Sequence, residues 1–206
     1  MKRRNAIVLL VSGLGSIGCR REEKPKVIGT PWTDLRGKWS WVGGGQVEEE
    51  GESLRIGWGE GLTAVRWDGE IPRPPFEMEM QAKRVDGTDF FCAVTFPVRA
   101  EGECVTLVVG GWGGGLVGIS SIDGKDASEN ETTSHRSFDT DVWYRIRLLR
   151  QGERIATWID GQKVIDVDTT GKKLSLRYGP ISDCAPFGLA TWQTTGMIRN
   201  VRWRPL

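Results

Sequence analysis

Histidine is almost missing from this chain: His135 is the only one in 206 residues. With so little, no Cys or His spacing forms a zinc ligand set. Ser134, His135, Asp139 and Asp141 lie close together. A Ser–His–Asp triad, however, is a matter of three-dimensional geometry, and the Gly-x-Ser-x-Gly elbow is absent. An excess of one charge is missing too, with 28 Lys and Arg against 27 Asp and Glu. Loss of the first nineteen residues removes Lys2, Arg3 and Arg4, leaving 25 against 27 and a net charge near −2. That balance supplies no field to gather nucleic acid, which is not expected as a partner.

No apolar run is long enough to span a bilayer, which takes roughly 20 residues. The N-terminus carries a shorter pattern: MKRR, then the apolar AIVLLVSGLGSIG, then Cys19 after the small residue Gly18. This reads as an export signal over residues 1–19. It resembles a bacterial lipobox, although Ser16 stands where Leu is usual. Acylation of Cys19 would anchor the protein to a membrane, facing the periplasm or cell surface, with the charged residues 20–28 as a solvated tether. Three cysteines then remain, Cys92, Cys104 and Cys184. In an oxidising compartment a Cys92–Cys104 disulfide is one reading, and buried free thiols are the other.

Helical periodicity is lacking as well. Instead, apolar and polar residues alternate with period two. In Phe76–Lys83, Phe76, Met78, Met80 and Ala82 point one way, and Glu77, Glu79, Gln81 and Lys83 the other. WYRIRLLR, ERIATWI and QKVIDVD, joined by Gln151-Gly152 and Asp160-Gly161, predict an antiparallel meander. SLRIGW, LTAVRW, FFCAVTF, CVTLVVG, LVGISSI, FGLATW and MIRNVRW add further strands. More than ten short strands and no fixed-period repeat predict one all-β sandwich of two antiparallel sheets over residues 29–206, and exclude a propeller. Such a sheet can leave one face in water, where tryptophans and carboxylates would suit a sugar. Ten tryptophans are available.

The candidate residues gather in Gly110–His135, GGWGGGLVGISSIDGKDASENETTSH. The glycines of GGWGGG point to a bulge or a close backbone approach, with Trp112 either a stacking platform or a cap on the core. Asp123, Asp126 and Glu129 are candidate acid–base groups, as is Asp89; Asn130 and Glu131 are candidate sugar contacts. The oxygen-rich run could also hold a hard cation such as calcium, although the Asp-x-Asp-x-Asp-Gly loop pattern is absent. The other alternative is a solvated loop of Asx-type turns. Asn130-Glu131-Thr132 fits a glycosylation sequon, a coincidence in a bacterially exported chain. Glu77 and Glu79 share one strand face about 6.5–7 Å apart at Cα. Paired carboxylates can cleave glycosides, but Glu-Met-Glu-Met-Gln lacks the Glu-x-Asp-x-x-Glu pattern of jelly-roll glucanases. These two read as substrate contacts or as a solvated strand face.

LTAVRWDGEI, FEMEMQAKRVDGTDFFCAVTFPV, CVTLVVGGWGGGLVGISSIDGKDASENETT, WIDGQKVIDVDTTGKKLSLR and the closing IRNVRWRPL resemble the 3-keto-disaccharide hydrolase-like domain family. The resemblance runs from Trp39 to Leu206, and the DFFCAVTF…SSIDGKDASENETT block is similar to a planctomycete-type subgroup. It implies a concanavalin-like jelly roll, a carbohydrate ligand and hydrolysis of 3-keto-glycosides. Where typical members carry Asn-Ser-Gly and then an arginine, this chain reads Thr88-Asp89-Phe90-Phe91-Cys92-Ala93-Val94, so no catalytic residue carries over. Two functions are therefore expected: cleavage of a 3-keto-glycoside by proton abstraction and elimination, or non-catalytic glycan binding by a surface lipoprotein.

Overall fold

The computed structural model describes residues 30–99 and 102–206. The expected export signal 1–19, the lipidation site Cys19 and the tether 20–28 lie outside the described residues. The chain forms β1 (Thr33–Asp34), β2 (Trp39–Gly43), β3 (Val47–Glu50), β4 (Ser53–Ile56), β5 (Leu62–Trp67), β6 (Phe76–Gly87), β7 (Cys92–Pro97) and β8 (Cys104–Gly111). It continues through β9 (Leu116–Ser120), β10 (Ser134–His135), β11 (Tyr144–Gln151), β12 (Arg154–Ile159), β13 (Gln162–Asp168), β14 (Gly188–Trp192) and β15 (Thr194–Pro205). One 3-10 turn, Pro180–Cys184, precedes β14.

The strands form two antiparallel sheets. The eight-stranded sheet runs β13-β12-β11-β6-β15-β4-β3, with β1 also pairing β15, and the seven-stranded sheet runs β10-β9-β8-β7-β14-β5-β2. This is the expected all-β jelly-roll sandwich. The predicted meander is present as β11, β12 and β13. Its Asp160-Gly161 turn works because Asp160 takes a positive φ of 52° while its carboxylate accepts the Arg145 N–H at 2.9 Å.

The core follows from alternation. Phe76, Met78, Met80 and Ala82 of β6 are buried against Cys92, Val94 and Phe96 of β7 and Val105, Leu107 and Val109 of β8. Phe76 meets Phe96 edge-on at 6.2 Å, and Phe91 meets Phe138 at 5.2 Å. Each such ring contributes roughly 1.5–3 kcal/mol by burial.

The expected Cys92–Cys104 disulfide is not formed; both are buried free thiols, as is Cys184. Cys92 pairs in register with Val109, and Cys104 with Pro97, so the two stand at opposite ends of the β7–β8 ladder. Five residues of strand separate them by roughly 16 Å, against the roughly 7 Å limit for a disulfide. They also point to opposite faces, Cys92 toward Met80 in the core and Cys104 toward the Pro186 carbonyl. Burial pushes the thiols up, to about 12 for Cys92 and about 11 for Cys104.

The outward side chains of β6 are not solvated either. Glu77 is only 3% exposed, with one oxygen bound to Arg147 and the other to Arg204. Glu79 pairs with Arg202 at 2.7 Å. The three arginines of β15 reach one face because a bulge between Arg199 and Arg202 shifts the register, with Asn200 at a φ of 54°. Burial raises the Glu77 pKa, but the hydrogen bonds from Arg204 and Arg147 outweigh it and hold the carboxyl below its ordinary 4.5.

Two outcomes follow. Cys92, Cys104 and Cys184 stay unmodified by a thiol reagent at pH 8 until the protein is unfolded, as peptide mapping would show. Glu77→Gln lowers stability at pH 7 by about 1–3 kcal/mol in urea unfolding. A depressed folded pKa contributes stability that is complete above the unfolded value and lost as pH falls through the folded one. The gap between the variant and the parent therefore closes below pH 4.5.

Candidate functional site

The outer face of the seven-stranded sheet is paved with small residues. The outward positions are Ala64 on β5, Ala190 on β14, Ala93 and Thr95 on β7, Thr106 and Val108 on β8, and Gly118 and Ser120 on β9. Short side chains leave room above the sheet. Two segments partly cover it: the 3-10 turn, whose Cys184 packs with Leu62, Ala64, Ala93 and Ala190, and the loop after β9, whose Ala127 packs with Val108 and Leu116.

Between these covers lies a cleft of about 390 Å³. Thr106, Val108 and Ser120 form its floor, Phe90, Trp112, Tyr178 and Trp192 its aromatic walls, and Asp89, Asp126 and Arg177 its charged groups. The volume lies in the common range for small-molecule sites, roughly 300–1,000 Å³. Tyr178 is fully exposed and Trp112 is 44% exposed.

Trp112 is held by its own backbone. It sits at a φ of 47°, sparsely populated for a bulky residue, and its N–H donates to Asp89 Oδ1 at 3.2 Å. The same oxygen accepts the Phe90 N–H at 2.7 Å. Beneath this turn runs the buried Arg84 guanidinium. It donates to the carbonyls of Phe138 at 3.1 Å, Gly110 at 3.3 Å, Gly114 at 2.8 Å and, more weakly, Asp89 at 3.4 Å. Its carbon lies 5.1 Å from the Phe91 ring centre. A Cβ on Gly110 would stand 2.9 Å from Arg84 Nη2, and one on Gly114 3.1 Å from it. The glycines of GGWGGG thus supply both expected features, a bulge between Val109 and Gly111 and a close approach. What approaches is an arginine of the protein itself.

The polar segment is largely consumed by its own folding. Asp123, with Gly124, makes a tight turn joining Ile122 to Lys125, and its Oδ1 accepts the Lys173 N–H at 2.8 Å. Glu129 closes back on the Asp126 N–H at 3.4 Å. Asn130 is buried: its amide nitrogen donates to the carbonyls of Ile119, Lys125 and Asp126, and its oxygen accepts from Thr132. Glu131 pairs with Lys172, whose hydrogen bond holds its carboxyl below the ordinary value. Asp126 alone of this run lines the cleft, with Oδ1 on the Ser120 hydroxyl and Ala127 N–H and Oδ2 on Arg177 at 2.5 Å.

Among the expected residues, Asp89, Trp112 and Asp126 therefore share one cleft, while Asp123, Glu129, Asn130 and Glu131 brace the loop beside it. Glu77 and Glu79 are on the other sheet, bound by arginines, and do not reach the cleft. Among the described residues no three His, Cys, Asp or Glu side chains converge to hold a metal. Most of the oxygens of the polar segment are taken by backbone N–H groups, hydroxyls, Lys and Arg.

Sequence reasoning missed Arg84, Phe90, Arg177, Tyr178 and Trp192. Arg84 had a legible sign, because it continues the inward series Phe76, Met78, Met80, Ala82 by one more alternate position. Arg177 and Tyr178 sit in irregular chain before the 3-10 turn, where no periodicity marks a direction.

The fold is one that carbohydrate-related proteins share. The carbohydrate-binding module CBM66 from Bacillus subtilis superposes with a TM-score of 0.57 at 18% identity, covering 84% of this chain and 99% of that one. The Crh5 transglycosylase in its apo form gives 0.57 at 12% identity, covering 86% and 84%. The VIP36 exoplasmic/lumenal domain, in a form bound to calcium and mannose, gives 0.56 at 13%, covering 83% and 84%. A search of curated protein sequences finds no match. The family pattern does match, over residues 40–204, nearly the whole sandwich from β2 to the end of β15, and the chain belongs to the 3-keto-alpha-glucoside-1,2-lyase-like domain family.

Proposed function

We propose that this is an exported, membrane-anchored carbohydrate-active protein whose cleft takes a sugar and cleaves a 3-keto-glycoside by elimination. One observation carries the reading. Trp112 is fixed over the cleft by the carboxylate of Asp89, whose second oxygen is left without a partner among the described residues. Aromatic walls cover the apolar faces of a sugar, and an unengaged carboxylate oxygen can accept a proton.

A keto group at C3 acidifies the C2–H bond. Asp89 Oδ2 takes that proton, and the electron pair passes into an enolate at C3. The enolate collapses to a C1=C2 double bond, the bond from C1 to the glycosidic oxygen breaks, and the leaving oxygen picks up a proton. Arg177 lines the same cleft and is the group suited to stabilise the enolate oxygen. Asp126 is the weaker base, since both of its oxygens are already bonded. Among the four acid–base candidates this ranks Asp89 first. Anchoring through Cys19 would place the cleft outside the cytoplasm, facing glycans.

The second reading is a non-catalytic glycan-binding surface lipoprotein. It draws on the Asp126–Arg177 pair, which leaves the cleft with settled hydrogen-bonding groups of the kind that bind sugar hydroxyls.

The test is incubation with a 3-keto-disaccharide, once with calcium and once with a chelator, following release of the free sugar and of the unsaturated ketone. Turnover is expected, with Asp89→Asn reducing kcat by about 10²–10⁴-fold and Trp112→Ala raising KM. Absence of turnover, together with glycan binding that Trp112→Ala removes, would establish the second reading instead.

A further inference from the structure

The outer face of the eight-stranded sheet is laid out in cross-strand rows. On β6, Glu77 stands between Leu149 of β11 and Arg204 of β15, Glu79 between Arg147 and Arg202, and Gln81 between Arg145 and Arg199. In the first two rows the central carboxylate is matched by arginine: Glu77 with Arg204 and, diagonally, Arg147, and Glu79 with Arg202. The third row keeps the flanking arginines and replaces the carboxylate by a neutral amide. Arg199 Nε donates to Gln81 Oε1 at 2.8 Å, and neither Arg145 nor Arg199 has a carboxylate partner among the described residues.

The surrounding acidic groups do not repair this. Asp160 is engaged by Arg136 at 2.8 Å, and Asp141 by Lys83 at 3.0 Å. Asp34 lines the next hollow beside Arg36. Two open hollows of about 620 and 420 Å³ meet here, and both are lined by Glu79, Gln81 and Arg145. Trp143 and Trp158 stand along the first of them. Arg199 lies 3.9 Å over the Trp143 ring and Arg147 4.4 Å over Trp158, contacts that hold the guanidinium groups in place.

We propose that this row is an anion site for an acidic polysaccharide. A uronate carboxylate would bridge Arg145 and Arg199 above Gln81, completing the pattern that Glu77 and Glu79 complete from within. A polymer suits the hollows because they run on past the row in both directions. Ring faces already covered by guanidinium groups are poorly placed to stack nucleobases. The site lies on the sheet opposite the cleft and is independent of the reaction proposed there.

The experiment measures binding of the full chain to polygalacturonate by calorimetry, with dextran and a single-stranded oligonucleotide in parallel. Polygalacturonate is expected to bind, more weakly as salt is raised, and dextran not to bind. Gln81→Glu supplies the missing carboxylate from the chain itself. It should weaken polygalacturonate binding about tenfold or more while leaving the unfolding midpoint unchanged or higher. Arg145→Gln, at an exposed position, should cause a similar loss. Unchanged affinity in both variants would overturn the proposal, and so would oligonucleotide binding as tight as that of polygalacturonate.

Discussion

A buried guanidinium organises the end of the sandwich that holds the cleft. Among the described residues Arg84 has no carboxylate partner; carbonyl dipoles from Asp89, Gly110, Gly114 and Phe138 surround it instead. A charge removed from water at this depth is costly unless its hydrogens are met. Its two Nη groups draw four carbonyls from three separate segments toward one point, while Nε is buried without a partner among the described residues. That requirement draws the Asp89 segment and the glycine turn together. Asp89 then bonds Trp112, and Trp112 stands over the cleft. The geometry of the cleft therefore depends on an arginine that does not line it. Burial lowers the Arg84 pKa, yet a guanidinium remains a cation at any physiological pH.

The two outer faces of the sandwich solve the problem of exposure differently. The seven-stranded sheet uses alanine, glycine, serine and threonine and lets neighbouring segments fold partly over it, which leaves a largely apolar cleft between them. The eight-stranded sheet uses long side chains in ion-paired and stacked rows, with Trp32 lying against Arg202 and Arg204. Exposed ion pairs contribute little to stability singly. Here arginine stems lie along the sheet as well, which is how Glu77 comes to be 3% exposed on a nominally outer face. One face carries a cleft between two covering segments, and the other presents fixed charges on an open sheet.

Much of the fold was legible because alternation survives in the sequence. The β6 pattern, the three-strand meander and its Asp160-Gly161 turn all follow from local rules. Register was not legible. Alternation alone puts Arg199 and Arg202 on opposite faces, and only the bulge at Asn200 brings them to one. Cys92 and Cys104 sit on adjacent strands, as expected, but the β7–β8 pairing sends them to opposite ends. At the site, Asp89, Trp112 and Asp126 were legible as residue types in an unusual stretch. Tyr178, Arg177 and Trp192 were not, since their convergence is made by tertiary folding of irregular chain.

The polar segment shows why composition overstates a ligand site. Asp123, Asp126, Glu129, Asn130 and Glu131 look like an abundance of free oxygens when counted. Counted by lone pairs, most are already used, on Lys173 N–H, on Ser120 and Arg177, on the Asp126 N–H, on Thr132 and on Lys172. The thirteen residues between β9 and β10 must satisfy their own backbone, and Asp and Asn do that with the very atoms that could have met a sugar or a cation. Under the proposed reaction, the base is the residue whose oxygen is left over. In the cleft that is Asp89. On the opposite face the same accounting runs in reverse, since two guanidinium groups flank an amide where the neighbouring rows hold a carboxylate. In both places the mismatch between donors and acceptors, rather than the number of charged residues, separates a site from a well-folded surface.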